Sequence, residues 1–407
     1  MRILAGKVVV GDGKTVLTDA RITIQGGVIA DVSHGDAPHD ADSIYGGEIV
    51  DLSDATILPG LIDLHVHFAR TRAEDAYTRA LERFELRLLR STIDCKALLD
   101  AGFTTVRSAG GMDAIFLRDA IREGIIPGPT IYAAGRAITQ TGGHGDVHFV
   151  PKEWLKGDRI RFGRIADGVA QCREAVRDQL REGADFIKVM TAGGVASQKD
   201  HPRHAQYSME ELQAIVEEAK RNDMHVAAHA GGAGITTAIQ AGCATIEHGY
   251  FLESDQIDLM LRHDVTYVPT LLRLYLGVHV GPEAGQSEWL SRKFREGWQN
   301  HREAVHLAHE RGVKIGVGTD LGLRPHTRHG TNAQELDLLV QCGMSNLEAI
   351  AAATSIASEA MGLADHVGTV EIGKAADLIA VNSDPLSDIR ELMSVDFVMK
   401  DGVVWKS

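Results

Sequence analysis

Between residues 60 and 363 the sequence alternates short apolar or small-residue runs with helical patterns, and few folds accommodate that rhythm. The runs are Leu61–His67, Thr104–Ala109, Thr130–Ala137, Phe186–Ala192, His225–Ala230, Thr245–Gly249, Thr266–Leu271 and Lys314–Asp320. Helical periodicity fills most of the intervals, as in Ala80–Ala101, Ile165–Glu182 and Met209–Asn222. Ser208 introduces the last of these as an N-cap, ahead of Glu210 and Glu211. Strand–helix alternation means parallel strands joined by right-handed crossovers. Eight such units over roughly 300 residues predict an α/β fold, a (β/α)8 TIM barrel, with an open doubly wound sheet as the alternative.

The flanks read differently. In residues 1–59, short runs such as Lys7–Val10, Arg21–Ile24 and Val28–Val32 are split by Gly-Asp-Gly at 11–13 and by Gly26-Gly27, which are hairpin signals. Residues 364–407 repeat the pattern, with Asp377–Val381, Phe397–Met399 and an Asp401-Gly402 turn before Val403–Trp405. Residues 1–59 and 364–407 are therefore expected to form one small β domain from both termini, and 60–363 the barrel.

Composition narrows the function. The 407 residues are 44% apolar and 24% charged, a globular balance. The 42 basic and 56 acidic side chains leave a net charge of −14, which repels phosphate backbones and anionic bilayers. Neither nucleic acid nor membrane is an expected partner; a small-molecule substrate and a homo-oligomer are. No apolar run reaches the roughly 18–20 residues that span a bilayer, and the first residues lack a secretory h-region and cleavage site. Cys95, Cys172, Cys243 and Cys342 are scattered without a CxxC pair. Reduced thiols and a cytoplasmic location are expected.

Polar residues close several of the apolar runs, and in a barrel the C-terminal strand ends carry the active site. His65-Val66-His67 is an i, i+2 pair, so both imidazoles point to one face of a strand and suit a zinc-like ion. Taken alone, the pair could be chance in a chain with 19 histidines. Pro59-Gly60 ahead of it starts the strand abruptly out of a tight turn. Lys188 interrupts the apolar run Asp185-Phe-Ile-Lys-Val-Met190. Burial would lower its pKa and leave a neutral amine able to capture CO2 as a metal-bridging carbamate; a lysine paired with a barrel carboxylate is the plainer reading. His229 and His248 end the fifth and sixth runs and Asp320 ends the eighth. Singly, these are a core histidine twice over and a helix cap. Together the residues form a two-metal site. Two ions roughly 3.5–4 Å apart can hold a bridging hydroxide and polarise a carbonyl, with Asp320 moving the proton to the leaving amine.

Pro59-Gly-Leu-Ile-Asp-Leu-His-Val-His67, the strand-four lysine, the two later histidines and Gly318-Thr-Asp320 resemble the metal-dependent amidohydrolase superfamily over essentially the whole chain. Ala101-Gly-Phe-Thr-Thr-Val-Arg107, Thr141-Gly-Gly-His-Gly145, Lys188-Val-Met-Thr-Ala-Gly-Gly194 and Gln206-Tyr-Ser208 resemble its imidazolonepropionase-like branch, which includes Xaa-Pro dipeptidases. Gly373-Lys-Ala-Ala-Asp-Leu378 resembles the family's return strand, which implies that residues 1–59 and 364–407 form a composite β-sandwich. The resemblance implies that His65, His67 and Asp320 bind the more buried metal. It implies that His229 and His248 bind the second and that carboxylated Lys188 bridges both. Zinc is the expected ion, with manganese or cobalt as substitutes. Prolidase-like relatives often carry an aromatic residue after the strand-five histidine; here Ala230 and Gly231-Gly232 follow, which implies a roomier pocket.

On the substrate side, His144 in its Gly-rich turn is a candidate for the scissile carbonyl or a substrate carboxylate, and for a catalytic role. Tyr250, just past His248, is a second candidate. Arg70, Arg203, Arg273 and Arg324 follow strands one, four, seven and eight, and one of them could pair bidentately with a carboxylate. His201, His204, His326 and His329 read as exposed loop residues. The leading expectation is a binuclear amidohydrolase cleaving the C–N bond of dipeptides or N-acyl amino acids. The alternatives are the same chemistry on a lactone, a carbamate or urea xenobiotic or an organophosphate triester, and, remotely, a silent scaffold.

Overall fold

A computed structural model describes residues 1–35, 48–73, 75–148, 150–151 and 163–407. The chain divides into two compact units. One comprises Met1–Asp63, Lys96–Thr105 and Gly330–Ser407, the other Leu64–Cys95 and Val106–His329.

In the first unit the two ends of the chain share a single seven-stranded sheet. Its order is Val403–Lys406, Phe397–Lys400, Leu378–Val381, Ile49–Pro59, Arg2–Val9, Val16–Gln25, Val28–His34. The join is the antiparallel pair in which Ala380 faces Ile57, and Ile49–Pro59 then runs parallel to Arg2–Val9. The hairpin signals fall where turns are needed. Gly26 and Gly27 (φ 61° and 83°) and Asp401 and Gly402 (φ 51° and 75°) take the left-handed conformations that two-residue turns require. Alternate residues of both chain ends bury one apolar cluster, including Ile3, Ile22, Ile57, Leu378, Phe397 and Met399.

The second unit is mixed α/β. A six-stranded sheet orders Thr266–Val268, Thr245–Tyr250, Val226–Gly231, Ile187–Met190, Ala137–Thr139 and Gly163–Ile165, and its pairs are parallel. A three-stranded sheet holds Leu61–Val66, Phe103–Ser108 and Thr130–Ala133. The expected third strand is thus broken in two, and the eighth is not a ladder. Residues 314–321 instead make single bonds to both sheets: Tyr267 N–H to Lys314 O (2.8 Å), Leu64 N–H to Val317 O (2.8 Å) and His67 N–H to Leu321 O (2.9 Å). Helices Gly168–Glu182, Met209–Lys220, Ala233–Ala241 and Ser254–His263 follow the strands. Ser208 and Glu211 close a reciprocal capping box on the second of them.

Cys95, Cys172, Cys243 and Cys342 are buried free thiols. Among the described residues no helix is long and apolar enough to cross a membrane.

Candidate metal centre

Parallel strands bring their C-terminal ends side by side along one edge of the sheet, and that register assembles the site. His65 and His67 leave the same face of the Leu61–Val66 strand and are 1% and 4% exposed. Asp320 is brought beside them by backbone bonds, since its N–H donates to His65 O at 2.7 Å. Its Oδ1 lies 3.6 Å from His65 Nε2 and 3.1 Å from His67 Nε2. Ligand atoms of the three residues fall within 4.8 Å of one another, close enough to converge on one ion.

The remaining ring nitrogens are held from behind, which sets the tautomers. His65 donates from Nδ1 to Glu247 Oε2 at 2.7 Å, and His67 from Nδ1 to Gly110 O at 3.1 Å, which turns each Nε2 toward Asp320. Glu247 is fully buried. It also accepts from Arg107 Nη2 at 2.6 Å and from Thr245 Oγ1 at 2.5 Å. Burial alone would raise its pKa; the Arg107 guanidinium, the Lys188 ammonium and the His65 bond outweigh that and hold it well below the usual carboxylate range.

On the other side, Met190 pairs with His229 and Ala230 with His248 along adjacent strands, so Lys188, His229 and His248 end on neighbouring strands. The His229 ring centroid lies 4.7 Å from that of His248, which lies 4.8 Å from that of His65. His229 Nε2 donates to Gly193 O at 3.1 Å, and His248 Nδ1 sits 2.7 Å from Thr270 Oγ1. Burial, reinforced by neighbouring cations, lowers the pKa of His229 and His248 well below the usual histidine value and that of His65 to about 4. The lowered values favour neutral rings at His65, His229 and His248, the form that metal ligation requires. Lys188 is 2% exposed, and its Nζ has no hydrogen-bond partner among the described residues. Desolvation lowers its pKa to about 8. His248, Thr270 and Asp320 hold φ of 64°, 54° and 54°, left-handed backbone that aims their side chains at a cost.

One cavity is lined by His65, His67, Lys188, His229, His248 and Asp320, together with His144, Tyr250 and Arg273. His144 stacks on His229 with centroids 4.3 Å apart and planes at 15°, and its Nδ1 bonds Asp200 Oδ2 at 3.0 Å. Lys293 fixes the segment that carries Asp200 by donating to Gly194 O (3.0 Å), Ser197 O (2.6 Å) and Asp200 O (2.8 Å). Tyr250 stacks on His248 at 5.2 Å. Arg273 is 2% exposed, with Nε 3.6 Å from Asp320 Oδ2 and its guanidinium over the Phe294 ring.

Other candidates lie elsewhere. Arg70 pairs with Asp94, the exposed Arg203 covers the Phe251 ring at 3.9 Å, and Arg324 is buried in a turn closed by Thr327. His201 and His204 pack ring to ring, and His326 is half-buried; none of the three lines the cavity. His329 corrects the expectation of an exposed loop residue. It is 6% exposed and bonds His67 O through Nε2 at 2.9 Å, so it braces the strand end from behind. Gly231 and Gly232 answer to close backbone approach: a Cβ on Gly231 would meet Pro202 O at 2.6 Å and one on Gly232 would meet Arg203 Cα at 2.8 Å. Glu247 and Arg107 were not singled out from the sequence; their signal was opposite charges inside two apolar strands.

Imidazoles, a carboxylate and an orphaned amine around one cavity make a donor set suited to metal-dependent hydrolysis. The amidohydrolase family model matches residues 56–404, and the chain belongs to that family. The ochratoxinase of Aspergillus niger is 36% identical across 99% of this chain and 86% of its own length. Its crystal structure superposes with a TM-score of 0.89, covering 100% of this chain and 95% of that one at 33% identity. A Xaa-Pro dipeptidase crystallised with methionine in its active site gives a TM-score of 0.87 at 35% identity, covering 100% of this chain and 99% of that one. The imidazolonepropionase of Nocardia farcinica is 25% identical over 90% of this chain and 86% of its own. The chain is accordingly a hydrolase of amide C–N bonds.

Proposed function

We propose that this protein is a binuclear metal amidohydrolase that releases an amino acid from a dipeptide or an N-acyl amino acid. The observation that carries the reading is the buried, unpartnered Lys188 amine among four imidazoles and Asp320. His65, His67 and Asp320 would hold one ion and His229 and His248 the other. Neutral Lys188 would attack CO2 through its lone pair and lose a proton to solvent, becoming a carbamate that bridges both ions. The bound ions, zinc by preference with manganese or cobalt as substitutes, supply a nucleophile at neutral pH and polarise the scissile carbonyl. Asp320 accepts the proton released by the attacking water and returns it to the departing amine nitrogen. His144, oriented by Asp200, donates from Nε2 to the carbonyl oxygen, and Tyr250 closes the wall beside His248.

The reading draws support from the relatives. One is named for hydrolysis of ochratoxin, and another is a dipeptidase with a free amino acid in its active site. We further propose that residues 314–321, bonded to both sheets, close them into a (β/α)8 barrel spanning 60–363. Residues 1–59 and 364–407 would then be the composite β-sandwich, in a cytoplasmic homo-oligomer.

The test is metal content and amino-acid release after expression with zinc and bicarbonate, on a library of dipeptides and N-acyl amino acids with lactones and phosphotriesters alongside. Two ions per chain and an efficient hit of about 10⁴ M⁻¹s⁻¹ or more are expected. A Lys188→Ala protein with full metal and full rate would sink the bridging role. Turnover of lactones or triesters alone would remove the peptide reading.

A further inference from the structure

The arginine beside Asp320 lines the same cavity as the candidate metal ligands. Arg273 opens the helix Leu271–His279 directly after the strand-seven end, is 2% exposed, and lines the cavity. Its Nε sits 3.6 Å from Asp320 Oδ2 and Phe294 backs the guanidinium plane at 4.7 Å, while Nη1 has no hydrogen-bond partner among the described residues. A buried guanidinium with an unused donor is costly unless a ligand completes it. Of the four arginines at the strand ends, Arg70 is occupied by Asp94 and Arg203 lies on Phe251, and neither lines the cavity; nor does Arg324.

Bond lengths then constrain the substrate. In an α-amino acid, N–Cα and Cα–C of about 1.46 and 1.52 Å put the carboxyl carbon only about 2.5 Å from the amine nitrogen. Any group that protonates that nitrogen must therefore stand close to whatever holds the carboxylate. Asp320 and Arg273 are the neighbouring pair that meets this demand. His144 instead stacks on His229, beside the residues proposed for the second ion, where it would meet the acyl half. We infer that Arg273 is the residue that selects the substrate, by pairing with a free α-carboxylate on the leaving amino acid. The enzyme thus takes N-acyl α-amino acids and C-terminal dipeptides with an unblocked carboxyl, and rejects their amides and esters. This rests on the proposed function above.

The experiment uses the zinc-loaded full-length protein and reads equilibrium binding, not turnover. A panel of free L-amino acids is compared by calorimetry with the corresponding amino alcohols, which keep the amine and side chain and lack the carboxylate. The best free acid should bind at least about 100-fold tighter than its alcohol. Arg273→Met should bring the two within about threefold. Arg273→Lys, which keeps the charge but loses the planar fork, should recover only about a tenth of the discrimination. Zinc content is measured on each protein, and Arg273→Lys decides if Arg273→Met loses zinc. Full discrimination surviving in either variant, or a wild-type protein that binds alcohol as tightly as acid, overturns the assignment. So does equal weakening of acid and alcohol, which would mean that Arg273 merely steadies Asp320. Absence of cleavage across the substrate library would count against the proposed function, while the binding ratios judge Arg273 independently.

Discussion

The two halves of the cavity are held in different ways. Beside His65 and Asp320 the supports are charged: Glu247 and Arg107 form a fully buried ion pair behind His65, and Arg273 flanks Asp320. Around His229 and His248 the supports are neutral: the Gly193 carbonyl, the Thr270 hydroxyl and the faces of His144 and Tyr250. Charged partners in a dry interior are stiff and costly to break singly. Carbonyls, hydroxyls and ring faces yield more readily. Removing a single support should therefore cost more in the first half than in the second.

The largest break should come from the charged half. Glu247→Leu leaves Arg107 buried without its partner, and denaturant titration of the metal-free protein should show a loss of about 3–5 kcal/mol. The double replacement Glu247→Leu with Arg107→Met should recover most of it, since an apolar pair of similar volume is tolerated. In the neutral half, Gly194→Ala would set a methyl 2.0 Å from His144 Cε1. That ring must move, and kcat/KM should fall about 100-fold with metal content unchanged. Thr270→Val removes the hydroxyl beside His248; chelator competition should show about tenfold weaker retention of one ion and not of the other. The smallest effect concerns Lys188. Its pKa of about 8 makes the amine neutral above that pH and protonated below. At fixed dissolved CO2, the rate of reconstitution from the metal-free protein should rise about threefold between pH 7.5 and 8.5 and flatten beyond. A rate that is flat across this window would mean that the amine is not the reacting group.

Much of this was legible because strand ends are a local signal. An apolar run of five or six residues closed by a histidine, lysine or aspartate can be read without knowing what lies across the sheet. All six residues so identified line one cavity. What was not legible depends on neighbours remote in sequence. Arg107 and Glu247 are separated by 140 positions and meet only through strand order. The meaning of Gly231-Gly232 depended on where Pro202 and Arg203 would run. His329 looked like an exposed loop residue because nothing nearby in sequence reveals that its ring turns inward to His67. The eighth strand was anticipated as a ladder, yet its Gly-rich stretch Gly316-Val-Gly318 bonds only at intervals.

The left-handed backbone at His248, Thr270 and Asp320 bears on what these positions can become. Each such residue costs on the order of 1 kcal/mol or more relative to a relaxed strand end. Glycine would relieve that strain at no steric cost, but it would remove the imidazole, hydroxyl or carboxylate that the position supplies. His248 and Asp320 line the cavity and Thr270 bonds His248, so at all three positions stability and site chemistry pull in opposite directions.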